Sequence, residues 1–228
     1  MLHKKTIAVV IPAFNEETQI ENVIKTMPDF VDRVIVVNDC SNDGTEAVVR
    51  GLIAEQEQHA LPSIKKTVGN SYDRADRVVE ELNRKELDFF VPSEIVNEQP
   101  DRDRIILINQ KRNSGVGAAI ARGYKWCKDH HIACTAVMAG DGQMDPAELE
   151  SICLPVVEEG IDYVKGNRLI HRSSWLVIPK VRYFGNSILS ILTKIASGYW
   201  HVSDTQTGYT AISLDALNAI RLYKIYKS

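Results

Sequence analysis

The 228-residue chain has no window of about eighteen apolar residues, so no part of it is expected to cross a bilayer as a helix. Met1 to Ala13 lack an apolar run set between basic and small residues, and no signal peptide is expected. Cysteine is scarce: Cys40, Cys127, Cys134 and Cys153 have neither metal-ligand spacing nor local pairing. They read as reduced, mostly buried thiols of a cytosolic protein. A net charge of −3 is too small to imply a nucleic-acid partner. Phosphate-cradling glycine loops are missing as well. Gly115-Val116-Gly117-Ala118-Ala119-Ile120 lacks the third glycine of the dinucleotide fingerprint, and no GxxxxGK[ST] occurs. That argues against a dehydrogenase and a P-loop ATPase. Gly115, Gly117 and Ala118 read instead as a tight turn with close helix packing.

One absence is local. Tyr163 to Ser203 holds no Asp or Glu but carries Lys165, Arg168, Arg172, Lys180, Arg182 and Lys194, a charge of +6 in a chain of net −3. Val181, Phe184, Ile188, Ile191, Leu192 and Ile195 recur there at helical spacing. Two readings stay open: a core-facing helix with a solvated basic face, or a helix lying on an anionic membrane with Trp175, Tyr183, Tyr199 and Trp200 as interfacial anchors.

What is present alternates. Thr6 to Pro12 is a continuous apolar run, as in a strand buried on both faces. Glu16 to Met27 follows with Ile20, Val23, Ile24 and Met27 at helical spacing and Pro28 after it. Val34 to Val37 is a second strand, ended by the turn-rich Asn38 to Gly44 before a helix near Thr45 to Ala54. Ile105 to Ile108 is a third strand, with a helix from about Gly117 to His130. Ala136 to Ala139 is a fourth, broken by Gly140-Asp141-Gly142, then a helix from Pro146 to Glu159 and a fifth strand from Tyr163. This rhythm predicts an α/β fold: a mostly parallel, Rossmann-like sheet with helices on both faces. Residues 55–104 are too long for a simple crossover and are expected to form an inserted subdomain. Ala75, Val78, Val79, Leu82 and Phe89 suggest an amphipathic helix within it.

In such a sheet, ligands bind beyond the carboxyl ends of the strands. Polar residues fill four of those ends: Asn15-Glu16-Glu17, Asn38-Asp39, Asn113 to Gly117, and Asp141 with Gln143. Each alone could be only a cap or turn residue. Four in succession exceed what chance placement of turn residues would give.

These segments resemble the motif blocks of family 2 glycosyltransferases. Pro12-Ala13-Phe14-Asn15-Glu16 is similar to that family's P-x-[YF]-N-E, and Val36 to Thr45 to its V-V-[DN]-D-x-S-x-D-G-T. Asn113 to Ala119 resembles N-x-G-x-G-A-A, and Asp141 to Pro146 the D-x-Q-x-x-P end of the DxD region. Gly166-Asn167-Arg168 resembles G-[SN]-R, and Asp204 to Tyr209 the D-x-x-[ST]-G-[FY] block. The six blocks run in the family's order, closest to dolichyl-phosphate mannosyltransferase-like and polyprenyl-phosphate glycosyltransferase-like enzymes.

The resemblance implies a single GT-A domain over residues 1–228 and an inverting, metal-dependent hexosyl transfer. The donor would be a nucleotide sugar of the GDP-mannose or UDP-glucose type, and the acceptor a polyprenyl phosphate. It places the protein at the cytoplasmic face of a membrane. Pro12, Phe14, Glu16, Asn38 and Asp39 would hold the donor. Asp141 and Gln143 would hold Mg²⁺ or Mn²⁺, a hard cation suited to oxygen ligands. Asp141, Arg168 and Asp204 are the candidate catalytic residues. Arg168 would meet phosphate, with Lys180 and Arg182 as further cationic clamps. Asp204 would be a base only for a sugar-hydroxyl acceptor, and is otherwise a turn cap.

Three departures stand out. Ala139 replaces the first Asp of DxD, Asn38 replaces the first Asp of the usual pair, and relatives continue past Ser228, so the C-terminus is expected to be truncated. A saccharide-hydroxyl acceptor and a non-catalytic GT-A binding module remain as alternatives. No Q-x-x-R-W occurs, which argues against a processive polysaccharide synthase.

Overall fold

In the computed structural model, residues 1–55, 81–82, 85–166 and 208–224 are described. The apolar β-branched runs do become strands. β1 (Ile7–Ala13), β2 (Arg33–Asn38), β4 (Ile105–Gln110) and β5 (Cys134–Val137) are almost wholly buried. Between them stand α1 (Ile20–Lys25), α2 (Thr45–Glu55) and α3 (Val116–Asp129). After β5 come a 3₁₀ turn (Pro146–Glu148), α4 (Leu149–Glu158) and β6 (Tyr163–Lys165). β3 (Ser93–Ile95), β7 (Thr210–Ser213) and α5 (Leu214–Ala219) complete the described elements with a 3₁₀ turn at Leu222–Lys224.

The seven strands form one sheet in the order β3-β4-β2-β1-β5-β7-β6. β1, β2, β4 and β5 are mutually parallel, as expected. The two ends of the sheet differ from that pattern. β3 pairs antiparallel with β4, so residues 93–95 of the expected insertion belong to the main sheet. β6 does not extend the parallel set, because β7 slots between it and β5 and runs antiparallel to both. Thr210–Ser213 is too short and too polar at its ends to stand out as a strand without its partners.

Two buried layers flank the sheet. One packs Val9, Ile11, Val34, Val36 and Leu107 against α1, α2 and α4. The other packs Val10, Ile35, Val37, Ile106 and Ile108 under α3, with Trp126, Ile132 and Leu217. Alternate residues of each strand serve opposite layers, which is why the runs are apolar without interruption. At Gly123, α3 approaches β1 so closely that a Cβ would lie 2.3 Å from Val10 Cγ1.

Cys127, Cys134 and Cys153 are buried free thiols, and Cys40 is half-buried. Among the described residues no helix is long and apolar enough to cross a membrane. The basic stretch from Asn167 onward, with Trp175, Tyr183, Tyr199, Trp200 and the Val181–Ile195 stripe, lies outside the described residues. So do Ala75, Val78 and Val79. Leu82 is exposed, and Phe89, also exposed, stacks on Tyr223 at 5.1 Å.

Candidate active site

The parallel strands all end at one edge, and the polar residues read from the sequence gather there. β1 lies between β2 and β5, so Asp39 and Asp141 flank the end of β1, whose following residues carry Glu16. Neighbouring strands lie about 4.8 Å apart, which sets the three groups within one ligand's span.

Asp39 is buried. Its backbone N–H donates to the Ala13 carbonyl at 2.9 Å, and its carboxylate accepts from the N–H groups of Ser114 (2.9 Å) and Gly115 (2.7 Å). The carboxylate thereby ties the loop before α3 to the end of β2. Each of its oxygens keeps a second lone pair. Asn38 is also buried; its Nδ2 donates to Asn109 Oδ1 at 3.0 Å and its Oδ1 accepts from Ser41 N at 3.1 Å. An amide at 38 can donate to Asn109 where a carboxylate could only accept.

The loops after β1 and β2 are laced together by bonds that sequence reading did not foresee. Asn15 N–H donates to Ser41 Oγ, and Asn42 N–H donates to Asn15 Oδ1. Glu16 N–H donates to Thr45 Oγ1 at 2.9 Å, Glu17 N–H to Asp43 Oδ2, and Gly44 N–H to Glu17 Oε2. Thr45 in turn donates through both its N–H and its hydroxyl to Asp43 Oδ1. Asn15 (φ 58°) and Cys40 (φ 59°) take left-handed backbone conformations at this junction. Such strain concentrates at functional sites. The available signal was Asn15 itself, a residue type enriched in that region.

The electrostatics of the cleft are acidic. The Glu16 carboxyl is raised above its ordinary pKa by partial burial, then by the nearby charges of Asp141 and Asp43. Desolvation acts upward on Asp43 too, yet hydrogen bonds from Thr45 and Glu17 hold it below its ordinary value. Asp141 Oδ1 accepts from Gln143 N–H at 3.0 Å, in a turn that Gly142 makes at φ 71°. Its other oxygen has no hydrogen-bond partner among the described residues. Gln143 is exposed, Pro12 half-buried, and Phe14 41% exposed beside them. Ala139 offers no side-chain oxygen; its N–H donates to the Met144 sulfur at 3.3 Å.

The structure therefore brings together Pro12, Phe14, Glu16, Asn38, Asp39, Asp141 and Gln143 at one edge. Arg168 and Asp204, with Lys180 and Arg182, lie outside the described residues. No three His, Cys, Asp or Glu side chains form a metal cage among the described residues.

The glycosyl transferase family 2 profile matches residues 8–63 and 91–221, leaving 64–90 unmatched. A UDP-N-acetylglucosamine–dolichyl-phosphate N-acetylglucosaminyltransferase of Methanococcus voltae is 26% identical over 217 residues, covering 95% of this chain and 72% of that protein. An uncharacterised protein of Methanocaldococcus jannaschii is 24% identical over 220 residues, covering 96% of this chain and 69% of that one. Among solved structures, the glucosyl-3-phosphoglycerate synthase of Mycobacterium tuberculosis with Mn²⁺, UDP and glucosyl-3-phosphoglycerate gives a TM-score of 0.52 at 20% identity. The same synthase with phosphoglyceric acid gives 0.54 at 18% identity. Both alignments cover 93% of this chain, which spans 58% of the synthase. At such identities the likeness establishes the fold, which is GT-A.

Proposed function

Because this chain belongs to glycosyl transferase family 2, we propose that it is an inverting hexosyltransferase that uses a nucleotide-sugar donor and a polyprenyl-phosphate acceptor. The observation that carries this reading is the meeting of Glu16, Asp39 and Asp141 around the end of β1. The acceptor class is supported by the Methanococcus voltae relative, whose name gives dolichyl phosphate and UDP-N-acetylglucosamine. The acid-free stretch Tyr163 to Ser203 supports it independently, since six basic side chains suit an anionic lipid surface.

In the proposed reaction an oxygen of the acceptor phosphate attacks the anomeric carbon opposite the nucleotide. The new O–C bond forms as the bond from that carbon to the diphosphate oxygen breaks, and the nucleoside diphosphate leaves with both electrons. The acceptor needs no strong base, because a phosphate monoester has its second pKa near about 6 and is largely dianionic at neutral pH. What the protein supplies is positioning. Pro12 and Phe14 offer apolar faces to the base, while Asp39 holds the loop that closes beside it and can accept from the nucleoside.

Mg²⁺ or Mn²⁺ fits this cleft through Asp141 and Gln143. One Asp141 oxygen is open among the described residues, and the negative charge of Asp141 and Asp43, which adds to burial in raising Glu16, is the kind a cation offsets. With Ala139 in place of a carboxylate, much of the remaining coordination would fall to donor phosphates. When bound, such an ion neutralises charge growing on the departing diphosphate. Arg168, Lys180 and Arg182 are the proposed clamps for the acceptor phosphate. The proposed setting is the cytoplasmic face of a membrane, with residues 55–104 carrying an insertion in a single GT-A domain.

Incubation with UDP-N-acetylglucosamine, other nucleotide sugars, Mn²⁺ and a polyprenyl phosphate tests the reading. Lipid-dependent release of nucleoside diphosphate with inverted anomeric configuration is expected. Asp141→Ala should lose turnover by about 100-fold or more. Release that does not depend on lipid would replace the acceptor with a saccharide hydroxyl, and no release from any donor would leave a binding module.

A further inference from the structure

On the α3 side of the sheet, one strand outward from Asp39, lies a group of buried polar atoms that the proposed transfer does not use. Gln110, the last residue of β4, is 3% exposed, and among the described residues neither its Oε1 nor its Nε2 has a hydrogen-bond partner. Its side chain follows Ile106 and Ile108 onto the face covered by α3. Directly opposite in register stands Ser93 of β3. Residues so paired place their Cβ atoms about 5 Å apart on the same face.

Arg122 reaches this place from α3. Its Nε donates to Ser93 Oγ at 2.8 Å, and that hydroxyl keeps its own proton to donate. Arg122 as a residue is 6% exposed, and its guanidinium has no carboxylate within ion-pair distance among the described residues. Asp129, the carboxylate whose charge acts on it, pairs instead with Lys125. Burial pulls the Arg122 pKa down to about 10, against a weaker opposing pull from Asp129. One turn further along α3, the Trp126 indole N–H is another buried donor without a partner among the described residues.

A buried cation without a counter-charge is costly, and so is each unmatched amide atom. These groups together define their complement. The guanidinium and hydroxyl ask for an anion with acceptor oxygens. The Gln110 amide asks for both an acceptor and a donor, which a protonated phosphate oxygen supplies and a sulfate does not. We propose that Arg122, Ser93 and Gln110 form a binding site for a protonated oxyanion of the inorganic-phosphate class, beneath α3 and separate from the donor cleft. It does not depend on the glycosyl-transfer reading.

Thermal unfolding in sodium phosphate against sodium sulfate at matched ionic strength and pH tests it. Phosphate should raise the Tm of the parent saturably, by about 5–10 °C at a hundredfold excess over its Kd. Sulfate should act at least about tenfold more weakly, as a site left with an unpaired acceptor requires. Gln110→Leu and Arg122→Gln should each abolish the phosphate shift. Gln110→Leu is near-isosteric and removes two unmatched buried atoms, so it should fold at least as well as the parent. Asp141→Ala should keep the full shift, since it alters only the donor cleft. The proposal falls if the parent shows no saturable phosphate effect, which is the result expected if water alone meets these groups. It falls equally if Gln110→Leu retains the effect, or if Asp141→Ala removes it or UDP with Mn²⁺ competes it away, for then phosphate sits in the donor cleft. Failure of UDP to bind at all would count against the transferase reading and leave the phosphate result standing.

Discussion

Asp39 combines burial, charge and two backbone donors, so its replacement should be felt in the fold before it is felt in any reaction. Asp39→Asn turns an amide N–H toward one of the two donor N–H groups of Ser114 and Gly115, and cannot satisfy both. A loss of about 3 kcal/mol in urea unfolding is expected, from two charge-assisted bonds in a buried place. A loss within about 0.5 kcal/mol would show that the clamp contributes little. Glu16 carries the opposite strain. Its pKa is raised in the folded state, so the native protein binds more proton than the unfolded chain between the ordinary carboxylate value and the raised one. Stability from this group is therefore fully present below the ordinary value and is lost as pH rises through the raised one. Glu16→Gln should unfold at a higher Tm than the parent at pH 7, with the difference vanishing at low pH. A variant that tracks the parent at every pH would mean that neither burial nor the neighbouring carboxylates raise Glu16 in the folded protein.

At the scale of elements, the shortfall of α1 is instructive. Helical spacing pointed to Glu16 to Met27, and Ile20, Val23, Ile24 and Met27 are all buried as that stripe requires. The helix nevertheless begins at Ile20. The amide N–H groups of Asn15, Glu16 and Glu17 are bonded to Ser41, Thr45 and Asp43 of the neighbouring loop, which leaves their backbone shaped by the junction. Helix α3 shows the converse, a position where packing overrides propensity. Alanine is the better helix former than glycine by about 1 kcal/mol. Yet Gly123→Ala would press a methyl group into Val10, and it should destabilise by about 1–3 kcal/mol. Val10→Ala made together with it should recover part of that loss. The pair should then show a coupling of about 1 kcal/mol or more in a double-mutant cycle of urea midpoints. Strict additivity would mean that α3 relaxes away from β1 instead.

For the whole molecule, the sheet order places the acidic loops side by side and puts antiparallel pairings toward both margins. The cleft can then be tested as one object. Nucleotide-sugar binding measured by thermal shift with Mn²⁺ should be weakened by Asp141→Ala and restored in part by no change at a distance. Ala139→Asp, which adds the oxygen missing beside it, should tighten Mn²⁺ binding by isothermal titration. Membrane attachment belongs to this scale too. Each basic side chain near an anionic bilayer is worth about 1 kcal/mol and is screened by salt. The parent should co-sediment with anionic vesicles at low salt more than Lys180→Glu/Arg182→Glu does. Equal sedimentation would remove the membrane role from that segment.

Much of this was written in the chain itself. The apolar runs Thr6 to Pro12, Val34 to Val37 and Ile105 to Ile108 mark strands covered on both faces, and the amphipathic stretches between them make a parallel sheet the economical packing. The fourth strand, expected at Ala136 to Ala139, lies two residues earlier at Cys134–Val137, where its register with β1 puts it. Polar residues at the ends of such strands mark the ligand edge because all parallel strands end together. Other features depend on partners remote in sequence. Thr210–Ser213 becomes a strand only where β5 and β6 leave room for it, and Ser93–Ile95 only along the open edge of β4. The clamp from Asp39 to Ser114 and Gly115 spans 75 and 76 residues, and the gathering of Arg122, Ser93 and Gln110 joins a helix to two strands. Periodicity reports the face a residue occupies but not what stands opposite it. Only the folded packing decides which buried charge finds a partner and which does not.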